Sequence, residues 1–139
     1  MSLYPFVPET FYYEITLFKS QIKIYMTNYN MSEAAQELNI TIGKFTIGRN
    51  ILFEHLRYLQ ILQDYPNRNV PHNQFINLGY FQVLYVKSKN RFNSITCVTP
   101  LGIKWINEEK RVLIIQNEIK YWEEYYPKDL YLLNVKEAA

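Results

Sequence analysis

Three polar side chains within the stretch TIGRNILFEHLRYLQIL, Thr46 to Leu62, have the chemistry and the spacing to contact the edges of DNA bases. At about 100° per residue on a helix, Asn50, Glu54 and Arg57 share one face. In the major groove asparagine suits adenine, arginine suits guanine, and glutamate accepts a hydrogen bond from cytosine. The pattern therefore predicts three base-facing residues, with an ordinary amphipathic helix as the alternative.

Basic residues around this stretch are candidates for contacts with phosphate groups. Residues 41–105 contain eight basic and two acidic side chains, whereas residues 1–40 and 106–139 are each net acidic by two charges. A local excess of positive charge is expected of a surface that faces a polyanion, although a basic face that meets only solvent has the same composition. The predicted phosphate-facing residues are Lys44, Arg49, Lys87, Lys89 and Arg91.

The sequence contains no constellation that is typical of an enzyme. His55 and His72 have no cysteine or paired carboxylate at metal-ligand spacing, and the chain has no Walker loop and no G-x-G-x-x-G or G-x-S-x-G motif. We therefore expect no catalytic residue, no metal and no cofactor. His55 is expected to lie at the rim of its helix.

The cysteine content and the hydropathy pattern indicate where the protein works. Cys97 is the only cysteine, so no intramolecular disulfide can form, and its run SITCVTP predicts a buried strand residue. The chain has no signal-peptide core and no apolar span near the roughly 18 residues that cross a membrane. We expect a soluble, cytoplasmic protein without a membrane partner.

Two helices are predicted to position the candidate base-facing residues. A short helix lies in MSEAAQELN, Met31 to Asn39, with Ser32 ahead of it and Glu33 in its first turn. The longer helix follows, with Thr46 as a candidate N-cap, and such a pair is typical of helix-turn-helix proteins. The apolar stripe of the longer helix consists of Leu52, Phe53, Leu56 and Leu59.

The segment NITIGKFTIG, which connects the two helices, is longer than a minimal turn. It predicts either a bent connection or a small strand pair, with a positive φ at Gly43.

A hairpin is predicted after the longer helix. The runs FQVLYV and SITCV are rich in β-branched and aromatic residues, and the polar segment KSKNRFN separates them. In winged helices such a hairpin lies against the sugar-phosphate backbone, where lysine and arginine contact phosphate without reading sequence. The predicted fold class is α+β, a winged helix-turn-helix with a two-stranded wing and a long C-terminal helix.

The C-terminal helix is predicted from Leu101 towards Tyr125, with Thr99 as its N-cap and Pro100 at its first position. Its apolar residues lie on two opposite sides, so it needs two packing partners, one of which is either another part of the chain or a second subunit. One side carries Ile103, Ile114, Tyr121 and Tyr125, and the other carries Val112, Ile115, Ile119 and Trp122.

These elements divide the chain into three parts. Residues 1–30 form an N-terminal arm, read as either a strand or a helix, and residues 31–106 form the winged-helix core. Residues 107–139 form the C-terminal helix and tail, a candidate dimerisation element. Within the core, the block from Asn69 to Phe81 is interpreted as a brace between helix and hairpin, with contact to a partner as the alternative.

Three ordered blocks of the sequence resemble the C-terminal domain of phage antirepressors, the KilAC type. The blocks are GRNILFEHLR from Gly48, NVPHNQFINLGYF from Asn69 and VTPLGIKWI from Val98. The family typically shows G-R-N-x-L-F-x-x-L-R, then N-x-P-x-x-x-x-I-x-x-G-Y-F, then T-P-x-G-x-x-W-I. The resemblance covers the chain from about Tyr12 to Ile106, and it implies a phage or prophage regulator in a bacterial host cell.

The chain departs from the family pattern in two places. Gln60 stands where the family tends to have a glycine after the helix, so we expect the helix to run on or to end without a left-handed cap. Antirepressors usually carry another domain ahead of this one, whereas 30 residues precede Met31, so we expect a free-standing module.

Two functions remain from these patterns. The first is a regulator that binds double-stranded DNA through the longer helix and a basic wing, as a monomer or as a homodimer. The second is an interaction module that binds and inactivates a phage repressor protein, using its aromatic surface and the C-terminal helix.

Overall fold

The computed structural model describes residues 28–89 and 91–133, so all but the last three residues of the predicted N-terminal arm lie outside the described residues. The described chain is α+β, as predicted, with helices and two small antiparallel sheets. Its elements are α1 (Met31–Leu38), β1 (Thr41–Ile42), β2 (Phe45–Thr46), α2 (Arg49–Tyr58), α3 (Asn73–Asn77), β3 (Phe81–Ser88), β4 (Arg91–Val98), α4 (Pro100–Trp105), a π-helical turn (Ile106–Lys110), α5 (Arg111–Tyr125) and a 3-10 helix (Pro127–Leu133).

Helix α1 begins two residues earlier than the position of Ser32 predicted, and it begins with a capping box. Asn30, not Ser32, is the N-cap: its Oδ1 accepts from the Glu33 backbone N–H at 2.8 Å. The Glu33 carboxylate in turn accepts from the Asn30 N–H at 2.9 Å. Both groups satisfy backbone donors that a helix start leaves unpaired. Asn39 ends the helix in the left-handed conformation, and this end agrees with the predicted boundary.

The connection between α1 and α2 is the strand pair that the sequence offered as one of two alternatives. Thr41 pairs with Thr46, and Gly43 in the turn has a φ of +62°. A Cβ at Gly43 would lie 2.5 Å from the carbonyl carbon of Leu133, so the C-terminal 3-10 helix can pack closely here. Because Thr46 belongs to β2, it does not cap α2. The N-cap is Gly48, which makes no side-chain hydrogen bond.

Helix α2 buries the predicted stripe, since Leu52, Phe53 and Leu56 are buried and Leu59 packs against the core. Its end contradicts the expectation drawn from Gln60. This residue has a φ of +61°, its N–H donates to the Arg57 carbonyl, and the Ile61 N–H donates to the Leu56 carbonyl. These two bonds form a Schellman motif. The helix therefore stops at Tyr58 with a left-handed cap, although the capping residue is not glycine.

The block from Asn69 to Phe81 braces the molecule, as predicted. The Trp105 ring of α4 stacks on Tyr80 at 4.4 Å between centroids and lies 5.4 Å from Phe75. The Thr99 hydroxyl donates to the Gly79 carbonyl at 2.5 Å. Through these contacts the block from Asn69 packs on the third block, VTPLGIKWI from Val98.

Strands β3 and β4 form one antiparallel hairpin in which Phe81 pairs with Val98 and Ser88 pairs with Arg91. Both strands are longer and the turn is shorter than predicted, because much of KSKNRFN is paired. Phe81 and Val98 are buried at the base, and Tyr29 forms an isolated antiparallel bridge to Val98. The side chains that the structure describes in the outer half of the hairpin are exposed, at residues 84–87, 89, 91 and 93–95.

The C-terminal helical run begins as predicted, with the Thr99 hydroxyl accepting from the Gly102 N–H at 3.0 Å and Pro100 at the first position. A π-helical turn interrupts the run before α5. Directly after it, Arg111 donates to the carbonyls of Leu38 and Asn39 at 2.7 and 3.1 Å. The arginine thus satisfies carbonyls at the end of α1 and places a positive charge at the negative end of the helix dipole.

The core lies between α1, α2, the base of the hairpin and the C-terminal run. Neither predicted apolar side of α5 is buried along its whole length. On the first side Ile114 is fully buried and Tyr125 is 60% exposed, and on the second side Ile115 packs against the core and Val112 is 63% exposed. The predicted boundary after residue 106 falls inside the continuous helical run. Within the described residues, every helix is too short or too polar to cross a membrane. The fully buried residues include Ala34, Leu52, Leu56, Val98, Ile106 and Leu133.

Candidate nucleic-acid interface

The outer face of α2 presents a ridge of three exposed side chains at helical spacing. Asn50, Glu54 and Tyr58 follow one another at intervals of four residues, and Tyr58 is 72% exposed. We call these three residues the α2 ridge. At the start of the helix Arg49 donates to the Asn50 side-chain oxygen at 3.0 Å and lies 4.9 Å above the Phe53 ring. Two of the three predicted base-facing residues therefore lie on an accessible surface.

Arg57, the third predicted base-facing residue, points elsewhere. Its side chain is 13% exposed, and its guanidinium donates to the Asn69 side-chain oxygen at 2.5 Å. The Asn69 carbonyl in turn accepts from the Thr96 hydroxyl of β4 at 2.6 Å. This chain of hydrogen bonds connects the end of α2 to the base of the hairpin, and it fixes their relative orientation.

The predicted phosphate-facing residues of the hairpin are brought together at its tip. Lys87, Lys89 and Arg91 are all exposed. Lys89 lies in the turn with a φ of +57°. Because each strand has eight residues, the tip stands roughly 25 Å from the base at about 3.4 Å per residue. The cations therefore sit at the end of a protruding two-stranded arm.

The remaining two predicted phosphate-facing residues lie near the start of α2. Lys44 is exposed in the turn between β1 and β2, and Arg49 is the first residue of the helix. The N-terminal turn of a helix exposes unpaired N–H groups and carries partial positive charge. Both side chains add to the positive potential at that end.

His55 is buried rather than at the rim of α2, where the sequence analysis placed it. It is 8% exposed, and its Nε2 lies 2.6 Å from the Glu118 Oε1 of α5. The other Glu118 oxygen accepts from the Trp122 indole N–H at 2.8 Å. The rim position was wrong because an aromatic nitrogen can be buried when a carboxylate from another helix accepts its hydrogen bond.

Burial acts to raise the pKa of the Glu118 carboxyl, but the hydrogen bonds from His55 and Trp122 and the charge of His55 outweigh it. The pKa of Glu118 consequently lies below its usual value. This buried pair joins α2 to α5. The sequence did not predict this pair because its partners are 63 residues apart. The one local sign of it is the spacing of four residues between Glu118 and Trp122, which allows their hydrogen bond on one helix face.

A cleft of about 1150 Å³ runs between the outer side of α2 and α5. Its walls include the aromatic residues Phe45, Tyr58, Tyr121, Trp122 and Tyr126. We call it the α2–α5 cleft. The charge of Tyr126, then burial and a hydrogen bond with Tyr126, and then Glu54 raise the pKa of Tyr121. Glu54 of the α2 ridge and Tyr121 of α5 both line this cleft.

Cys97 is a buried strand residue, as predicted. Burial, and to a lesser degree the nearby Glu33 carboxylate, raises the pKa of its thiol. A thiol with a raised pKa holds little thiolate, so this group is poorly suited to nucleophilic chemistry.

Comparison with known proteins identifies the family of this chain. Residues 23–111 match the model of the phage antirepressor protein KilAC domain. A 65-residue stretch is 37% identical to the SPbeta prophage-derived putative antirepressor protein YoqD of Bacillus subtilis (strain 168), covering 47% of this chain and 26% of that protein. The matched stretch thus spans about a quarter of that relative, and no solved structure matches the chain. Because the family model covers well over half of its residues, the chain belongs to the phage antirepressor KilAC domain family.

Proposed function

We propose that this chain is a regulatory module of a phage or prophage that binds duplex DNA, with the hairpin against the phosphate backbone and the α2 ridge facing the major groove. The observation that carries the proposal is the exposure of Lys87, Lys89 and Arg91 together at the tip of a protruding hairpin. Cations there release counterions from the duplex without reading its sequence.

The order of the elements supports this assignment. Helices α1 and α2 precede the hairpin, with the short helix α3 between α2 and β3. Phe81 and Val98 at the base of the hairpin share the core with both helices, and the bridge between Tyr29 and Val98 adds a short third pairing on β4. A winged helix arranges its helices and wing in this order. We assign α2 as the recognition helix and the hairpin as the wing.

Within this assignment the residues of α2 take different roles. Asn50 and Glu54 contact base edges from the α2 ridge, and Lys44 and Arg49 contact phosphates near the start of the helix. Arg57 is a positioning residue, because its guanidinium is held by Asn69 and orients the ridge relative to the hairpin.

A second candidate function is the capture of a phage repressor protein. The name of the relative, a putative antirepressor, suggests this role, and the aromatic α2–α5 cleft favours it because tyrosine and tryptophan are enriched at protein interfaces. The two functions differ in the residues on which they depend. DNA binding depends on the hairpin cations and weakens steeply as salt rises, whereas capture of a protein in the cleft does not need these cations.

The test is to select duplexes from a random pool with the purified chain and to compare selected with scrambled duplexes by fluorescence anisotropy. Asn50→Ala should reduce the ratio of the two affinities by about 5- to 150-fold, the equivalent of about 1–3 kcal/mol for one base contact. Gln116→Ala, an exposed amide on α5, is the matched control and should leave the ratio unchanged. An unenriched pool, combined with binding of a repressor that does not need the hairpin cations, would replace the first function with the second.

A further inference from the structure

The α2–α5 cleft differs in charge from the hairpin tip. Its lining includes five acidic residues and three basic residues, and two of the bases are already engaged within the chain, Arg57 by Asn69 and Arg68 by Asp64. Glu54, Glu124 and Asp129 make no ion pair within the described residues. The cleft therefore carries net negative charge, which disfavours a phosphate backbone and favours a cation.

The size of the cleft argues for a chain segment rather than a small molecule. Its volume of about 1150 Å³ exceeds the roughly 300–1,000 Å³ that is typical of small-ligand sites. Its lining comes from α2, α5 and the C-terminal 3-10 helix, and a groove between helices suits the insertion of a helix or an extended peptide.

The aromatic residues supply the apolar part of such a site. Tyr121 and Tyr126 are each 47% exposed, and their rings contact one another at 6.0 Å between centroids. Trp122 lies at the floor, half-buried against Phe45 and held by its hydrogen bond to Glu118. Tyrosine and tryptophan present large contact area and also attract cationic groups to their ring faces.

We propose that the α2–α5 cleft binds a basic peptide segment of a partner protein, one that carries at least one large apolar side chain beside lysine or arginine. The apolar side chain packs between Tyr121 and Trp122, and the cations lie against Glu124 and Asp129. This site is separate from the hairpin cations, so it does not depend on DNA binding.

The test uses the full chain to select from random peptides displayed on phage particles. One selected peptide is then synthesised, and its affinity for the chain is measured by fluorescence anisotropy. The enriched peptides should be net positive with a large apolar residue. The double variant Glu124→Gln/Asp129→Asn should weaken binding of the selected peptide about five- to tenfold at low salt, since it removes two partly exposed charges. Glu108→Gln/Glu109→Gln removes two exposed acids outside the cleft and should change nothing.

Tyr121→Ala should also weaken the synthesised peptide, and thermal melting establishes that each variant is folded. Several results would overturn the proposal: no enriched peptide, enriched peptides that are neutral or acidic, or equal binding by both double variants. Light scattering that shows a dimer dissolved by Tyr121→Ala would assign the cleft to a second copy of the chain. Displacement of the selected peptide by duplex DNA would assign the cleft to DNA binding.

Discussion

At the scale of single residues, Gln60 holds a conformation that suits glycine. Its φ of +61° lies in the left-handed region, which costs an L-residue about 1–2 kcal/mol. The helix ends there nevertheless, because the Schellman bonds and the burial of Ile61 and Leu62 require the chain to turn. The burial of Ile61 and Leu62 beyond the turn therefore offsets the energetic cost of the left-handed conformation.

Gln60→Gly should stabilise the protein by about 0.5–1 kcal/mol, since relief of the left-handed cost exceeds the added entropy of the unfolded chain. Urea denaturation measures the change. Gln116→Gly, within the exposed part of α5, is the matched control and should lose about 1 kcal/mol. A lower denaturation midpoint for Gln60→Gly would contradict this account of the cap.

The second prediction concerns Glu118 and the pH dependence of the protein's stability. Its folded pKa lies below the ordinary value, so its contribution to stability is fully present above that value and is lost as the pH falls through the folded pKa. Glu118→Gln should cost about 1.5–3 kcal/mol near neutral pH, the range for hydrogen bonds to a charged group. The difference from the unchanged chain should shrink as the pH falls below about 4, the ordinary range of a glutamate pKa.

Urea midpoints of both proteins across this pH range measure the effect, and Glu123→Gln, on an exposed position of α5, is the control. A difference between the two proteins that stays constant down to the acid end would show that the carboxylate charge contributes nothing through His55 and Trp122.

At the scale of elements, the junction of hairpin and C-terminal helix depends on one close approach. A Cβ on Gly102 would collide with the carbonyl of Tyr80 and would lie 2.9 Å from a methyl of Val98. Helix α4 can therefore lie against the base of β3 and β4 only because residue 102 has no side chain. The same approach positions Trp105 over the Tyr80 ring.

Gly102→Ala should destabilise the protein by about 3 kcal/mol, the upper end of the range for overpacking, because the obstruction is backbone and cannot rotate away. Thermal or urea unfolding monitored by Trp fluorescence gives the value. Gly48→Ala provides the comparison, since no atom lies within 4 Å of the added methyl, and it should cost less than about 1 kcal/mol. Equal losses in the two variants would mean that α4 is not held by this contact.

At the scale of the whole molecule, local patterns predicted the elements, and long-range partners were not predictable. The β-branched and aromatic residues of FQVLYV and SITCV predicted the hairpin, and Thr99 with Pro100 predicted the start of α4, because both signals lie within a few neighbouring residues. The bond from Arg57 to Asn69 and the pair of His55 with Glu118 form only after the chain has packed. The sequence therefore predicted the exposed candidates Asn50 and Glu54 correctly as polar surface, and it could not reveal that Arg57 was engaged.

The molecule as a whole has two separate surfaces of opposite charge. The cations of the hairpin lie at the end of an arm, whereas the acids Glu124 and Asp129 line the α2–α5 cleft. Under the proposed function, a duplex that meets the ridge lies away from these acids, because they repel phosphate. This arrangement gives the proposed DNA contact a direction.

The most direct test is the salt dependence of the affinity for duplex DNA, measured for the unchanged chain and for Lys87→Gln/Lys89→Gln/Arg91→Gln. If the three cations contact phosphates, the slope of log K against log salt should become shallower by about 2.7, at about 0.9 per phosphate contact. Lys104→Gln, an exposed lysine on α4, should leave the slope almost unchanged. An identical slope for the triple variant and the unchanged chain would contradict the assignment of the hairpin as a phosphate-binding wing.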